Sequence, residues 1–195
     1  MRILLLITAF LLTTACGQGQ AQRNSAVAQP TPVPAAATPH SDETECKICD
    51  FDFAAYKGDL KKTEIDGLLL ALNDEYMAWA TYARINEDHN SPRPFINIQQ
   101  SEAKHIERLK EIFVKYGLPV PENKWVGKTP AFGTVAEACK AGVDAEVANV
   151  ELYKKIFATT EREDILVIYR ALQRASNENH LPAFQRCGGG RGGRQ

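Results

Sequence analysis

Four stretches of the chain carry apolar residues at helical spacing, and none alternates convincingly as a strand does. The first begins at Thr63, a candidate N-cap with Asp66 three residues on. Its stripe is Ile65, Leu68, Leu72, Tyr76, Trp79 and Ala83, and it ends near Ile85 before a polar stretch over 86–93. The second is expected from about Pro94 and carries Ile98, Ile106, Leu109, Ile112, Phe113 and Tyr116. Gly117, Leu118 and Pro119 then stop it. The third opens on Thr134 and Glu137, a capping-box pattern, with Val143, Val147, Val150 and Phe157 as its stripe. Thr160 and Glu163 repeat that pattern ahead of Ile165, Ile168, Tyr169, Leu172, Ser176 and Ala183.

The links between the first and second stretches and between the third and fourth are short, which favours two antiparallel hairpins. The link over 118–133 is long, contains three prolines, and can cross from one hairpin to the other. The expected fold class is therefore all-α: a ferritin-like four-helix bundle with one long crossover connection, an ordinary up-down bundle being the alternative.

Composition assigns the rest of the chain. Met1-Arg2, the apolar run over 3–12 and the small residues before Cys16 read as a lipoprotein signal peptide over 1–16, with Cys16 the lipidated residue; Thr13 departs from the usual lipobox. A Pro-, Ala-, Gln- and Thr-rich tether follows over 17–44, the bundle occupies 45–187, and a Gly-rich tail fills 188–195. These readings place the protein in the cell envelope, held to the membrane through its lipid. With 23 basic and 24 acidic residues, and no clustered basic field, a nucleic-acid partner is excluded. A homodimer is left open.

With Cys16 lipidated, four cysteines remain: Cys46, Cys49, Cys139 and Cys187. An even count in an oxidising compartment favours two disulfides, and three pairings are open. The Cys46-x-x-Cys49 spacing also admits a redox or metal role, although Asp50 stands where a haem site needs His.

The chemistry is carried by polar residues lying on the apolar stripes. Glu102 and His105 form a Glu-x-x-His pair whose side chains project together and can share one metal. Glu75 flanks the first stripe, Glu146 lies between Val143 and Val147, and His180 edges the fourth. Glu75, Glu102, His105, Glu146 and His180 make most of a di-metal carboxylate site, with Glu75 and Glu146 expected to bridge or complete the Glu102–His105 half. Oxygen and imidazole donors without thiolate suit iron, one or two ions, or manganese. Asn177 stands where the second Glu-x-x-His needs its Glu, so the His180 half is expected to be weaker, with Glu178 turned away.

Glu75 with Tyr82, Phe95-Ile96-Asn97-Ile98, Ser101-Glu102-Ala103-Lys104-His105, Tyr116-Gly117-Leu118-Pro119 and Asn179-His180-Leu181-Pro182-Ala183-Phe184 together resemble the ferritin-like family labelled domain of unknown function 2202. The resemblance covers 64–184 and implies a rubrerythrin- or ferritin-like bundle with a candidate metal centre, but no settled reaction. Two function classes follow. One is an envelope-anchored iron-binding protein, a candidate di-iron oxidoreductase acting on a small oxidant such as peroxide or dioxygen. The other is a metal-free interaction or structural module with the same bundle. In the second, the acids and histidines form a hydrogen-bonded network.

Overall fold

The computed structural model describes residues 45–188; the expected signal peptide with Cys16, the expected tether and residues 189–195 of the expected tail lie outside the described residues. The described residues are helical without a strand: α1 (Lys62–Asp88), α2 (Phe95–Lys115), α3 (Val135–Phe157), α4 (Glu163–Ala175), a π-turn (Ser176–His180) and α5 (Leu181–Gly188). None of these helices is long and apolar enough to cross a membrane.

Side-chain pairs fix the directions. Asn86 and Gln99 meet near the α1–α2 turn and Glu75 meets His105 further along, so α1 and α2 are antiparallel. Thr63 reaches Thr159 while Tyr82 reaches Glu146, which makes α1 and α3 antiparallel too. Lys115 with Asp164 and Glu102 with His180 do the same for α2 and the last helical member. Since α2 and α3 both oppose α1, they run parallel, and the link between them must travel the length of the bundle. By 1.5 Å per residue, the 23-residue α3 is about 34 Å long. The link is pinned as it goes: Trp125 is buried and its indole N–H donates to Asn73 Oδ1 at 2.9 Å, while Pro121 O accepts from Tyr76 at 2.8 Å.

Helix ends follow capping chemistry, with two departures from expectation. Thr134 and Glu137 exchange hydrogen bonds at 3.2 and 3.0 Å, as the capping-box pattern predicts. At α1 the cap lies earlier than Thr63. Glu64 reaches back to accept from Lys61 N at 2.7 Å, and Asp66 pairs instead with Lys62. At α4 no capping box forms, because the Thr160 hydroxyl is committed to buried Glu64 at 2.8 Å and Glu163 pairs with Arg170. Gly117 takes φ +67°, the left-handed turn that ends α2.

The buried side chains form two apolar clusters. The larger gathers Leu68, Leu72, Leu109, Phe113, Ile156, Ile165 and Leu172 with Trp125. The smaller gathers Tyr82, Ile85, Phe95, Ile98, Phe132 and Phe184. On α3 the expected stripe is shifted. Val147 is 51% exposed, whereas Ala138, Ala141, Gly142, Ala145, Tyr153 and Ile156 face inward. Small residues win that face because neighbours approach closely: a Cβ on Gly142 would sit 2.8 Å from the Phe184 ring. Cys46 is joined to Cys49 ahead of α1, and Cys139 on α3 to Cys187 on α5.

Candidate metal centre

A polar layer separates the two apolar clusters, and all five predicted ligands lie in it. Glu75 comes from α1, Glu102 and His105 from α2, Glu146 from α3 and His180 from the end of the π-turn, each no more than 7% exposed. They fall into two groups of three, Glu75–Glu102–His105 and Glu102–Glu146–His180, whose ligand atoms lie within 4.8 Å of one another. His105 Nδ1 is 2.8 Å from Glu102 Oε2 and 3.1 Å from Glu75 Oε2. His180 Nδ1 is 3.1 Å from Glu102 Oε1 and 3.6 Å from Glu146 Oε1. The shared carboxylate is therefore Glu102, one oxygen to each half. Glu75 belongs to the His105 group and Glu146 to the His180 group, so each would complete one half if ions were held there.

Two tyrosines hold those two carboxylates in a reciprocal pattern. Tyr82 on α1 donates to Glu146 Oε1 on α3 at 3.2 Å, and Tyr153 on α3 donates to Glu75 Oε1 on α1 at 3.1 Å. In each helix the tyrosine follows the glutamate by seven residues, two turns along the same face. Burial, reinforced by the nearby carboxylates, raises both phenols well above their ordinary range and keeps them as donors.

The π-turn changes what accompanies His180. Leu181 N bonds back five residues to Ser176 O, and the wider turn brings the residue four before His180 onto its side. Ser176 is accordingly buried and lines the site, whereas Asn177 is exposed, as is Glu178. Asn177, which stands in the sequence where a second Glu-x-x-His needs its Glu, therefore does not face the site. Pro182 lies just beyond the turn, where it has no N–H to continue an α-helical ladder.

Electrostatics bind the layer together. Burial opposes charge on His105 and His180, but Glu75, Glu102 and Glu146 outweigh it and raise each imidazole to about 10. Burial, with Glu102 adding to it, lifts Glu75 to about 7. Glu102 is lowered despite its burial, since it accepts from His105 and its other oxygen lies 3.1 Å from the His180 imidazole. His180 Nδ1, although close to two carboxylates, lacks the alignment for a hydrogen bond and is a buried nitrogen without a partner. An ion shared with Glu102 and Glu146 would satisfy it, and three carboxylates with two imidazoles suit a hard or borderline divalent cation. The residues present fit a metal.

Beyond the predicted five, the structure brings in Asp74, Asn149 and Ser176 around a small cavity beside Glu75, Glu102 and Glu146. Ser176 was on the expected fourth stripe. Asp74 and Asn149 lie on faces that only become buried because α1 and the α3 mid-section are enclosed on more than one side. Their signal was a second run of small residues, Ala71 and Ala78 flanking Asp74, and Ala145 four before Asn149. His89 sits in the α1–α2 turn with its Nε2 3.0 Å from Phe132 O and takes no part in the site.

The family model described as Uncharacterized protein domain (DUF2202) matches residues 64–195. The chain belongs to the DUF2202 family. The match takes in all four helical members and every residue of the polar layer. Over 145 residues the chain is also 27% identical to an uncharacterized protein of Methanocaldococcus jannaschii, covering 67% of this chain and 77% of that relative. No solved structure matches the chain.

Proposed function

We propose that this DUF2202 domain is a ferritin-like metal protein that holds two ions, iron in the first instance, between Glu75, Glu102, His105, Glu146 and His180. The observation that carries the reading is the pair of three-residue groups sharing Glu102 in a layer sealed between two apolar clusters. Five ionisable groups in such a layer are costly unless paired or coordinated. The antiparallel neighbours and the long α2–α3 link support the ferritin-like arrangement. Bound iron would supply electron exchange with a small oxidant; manganese is the alternative ion.

The chain's own residues would do the rest. Tyr82 and Tyr153 orient the Glu146 and Glu75 carboxylates, and Ser101 Oγ, 3.4 Å from His105 Nε2, steadies the outer ring nitrogen. The apolar clusters exclude bulk water. In the envelope-anchored reading, lipidated Cys16 tethers the domain, and the two disulfides accord with an oxidising compartment.

The contacts His105–Glu75 and His105–Glu102 also favour the second reading, in which protonated histidines satisfy the carboxylates without metal. Anaerobic reconstitution with iron(II) or manganese(II), followed by elemental analysis, separates the two. About two ions per chain supports the metal protein, and none after exchange into buffer leaves the metal-free module.

A further inference from the structure

Cys46 and Cys49 are three positions apart in the segment ahead of α1, and their bridge joins nothing that the chain does not already join. Cys139 and Cys187 are 48 positions apart and tie α3 to α5. Closure entropy follows the three-halves power of loop length, so the short bridge should raise the folding equilibrium about 60-fold less than the long one. The turn it spans is held by other means. Ile48 is 3% exposed and packs into the larger apolar cluster. Lys47 N donates to Asn73 Oδ1 on α1 at 3.1 Å, and the same oxygen accepts from the Trp125 indole at 2.9 Å. The Lys47 ammonium lies 4.2 Å from the centre of the Trp125 ring. These anchors keep the two cysteines together whether or not their sulfurs are joined.

The two bridges also differ in access. Cys46 and Cys49 are half-buried between exposed Glu45 and Asp50, whereas Cys139 is fully buried on α3. Exchange requires an attacking thiolate to reach a sulfur, so the first bridge is open to a partner and the second is shielded on its Cys139 side. The short bridge adds little to the fold, lies within reach of solvent, and sits in a turn that keeps its shape without it. Those are the conditions under which a disulfide can open and close while the domain stays folded.

We propose that Cys46–Cys49 is a thiol–disulfide exchange site that accepts two electrons from a dithiol. A thiolate of the donor attacks one sulfur of the bridge, the S–S bond breaks, and its electron pair leaves on the other cysteine, which takes up a proton. The donor's second thiolate then attacks the mixed disulfide and releases the first cysteine, which is protonated in turn. The donor ends as a disulfide and the chain with two thiols, whose two protons balance those the donor's thiols gave up. This chemistry needs no ion in the polar layer, so it stands or falls separately from the metal-protein reading.

The test uses the full chain with its disulfides formed. The native chain is equilibrated in buffers of reduced and oxidised glutathione and quenched with an alkylating reagent, and peptide mass spectrometry reads each cysteine separately. Cys46 and Cys49 should be labelled together at a reduced-glutathione concentration about tenfold or more below any that opens Cys139–Cys187. No labelling in excess glutathione overturns the proposal, as does opening of both bridges at one concentration. A peptide carrying two thiols then serves as the donor. The oxidised chain should convert about one equivalent of it to the disulfide, and the double variant Cys46→Ser/Cys49→Ser none. A wild-type chain that converts none, or a variant that converts as much, overturns the proposal. Chemical denaturation of the same variant reads the fold: its folding equilibrium should fall about 60-fold less than that of Cys187→Ala. An equal fall would make Cys46–Cys49 a structural bridge and overturn the proposal.

Discussion

The Tyr153 hydroxyl on α3 lies 3.1 Å from Glu75 Oε1 on α1 and donates to it. Tyr82 on α1 returns the arrangement to Glu146 on α3. Each of these carboxylates is thus aimed from the opposite helix, and loss of either hydroxyl should loosen one half of the site only. Tyr153→Phe should weaken the ion held by Glu75, Glu102 and His105 by about 10- to 100-fold, and Tyr82→Phe the other, as removal of such supporting partners does. Competition titration against a chromogenic chelator, resolving two binding steps, checks the assignment. Weakening of both steps by one substitution would count against it.

Glu102 is the side chain common to both halves. Glu102→Ala should therefore abolish binding of both ions, whereas His105→Ala should spare the Glu146–His180 side. Elemental analysis after desalting should read about zero and about one ion per chain, from the two expected for two three-residue groups.

The π-turn leads to a pair of contrasting substitutions. Asn177→Glu should leave ion binding unchanged because the residue is exposed, while Ser176→Asp should place a new carboxylate in the buried layer and tighten the His180 half. Isothermal titration of both variants decides between a π-turn and a regular α-helix at this point. A gain of affinity in Asn177→Glu would mean that the regular helix is correct.

Protons and metal compete for the same atoms. His105 and His180, raised to about 10, and Glu75, raised to about 7, all bind protons more tightly in the folded chain than in the unfolded one. Stability from the histidines is complete below their ordinary value near 6.5 and is lost as pH rises through about 10. Glu75 acts in the same direction between 4.5 and about 7. The metal-free protein should become less stable from pH 6 to pH 10, the loaded protein much less so. Metal uptake at neutral pH should release protons from both imidazoles, which a pH indicator in weak buffer will register. Denaturant melts across the pH range, with and without metal, supply the other half of the measurement.

Covalent and steric restraints hold the His180 end in place. Reducing Cys139–Cys187, or replacing Cys187 by Ala, should cost about 2–4 kcal/mol. Gly142→Ala, which drives a methyl group toward the Phe184 ring, should cost about 1–3 kcal/mol. Chemical denaturation measures both. Alkylation of the unreduced, denatured chain should label none of Cys46, Cys49, Cys139 and Cys187.

Helix existence and the five polar residues of the layer were legible because each lies on a helical repeat whose apolar members are themselves buried: Glu102 between Ile98 and Ile106 is the plainest case. The α3 face was misread through Val147, since β-branched bulk suggested burial while close approach to Phe184 and α1 required Ala and Gly. Asn177 was misplaced because a regular 3.6-residue repeat cannot foresee an inserted π-turn. The α4 cap failed for a tertiary reason, as Thr160 answers to Glu64 on a different helix. Asp74 and Asn149 stayed hidden because a single stripe describes a helix with one buried face, and α1 is enclosed on several.

The polar layer also divides the interior unequally, with the apolar cluster around Trp125 and Leu109 much larger than the one around Phe95 and Phe184. An ion arriving at groups buried this deeply has to wait for a local opening, and openings are drawn from the part of a fold with the least apolar surface to expose. In the metal-protein reading, traffic into the site would therefore run by way of the Phe184 end, where Cys139–Cys187 would act as a door chain that permits a gap without letting α5 swing free.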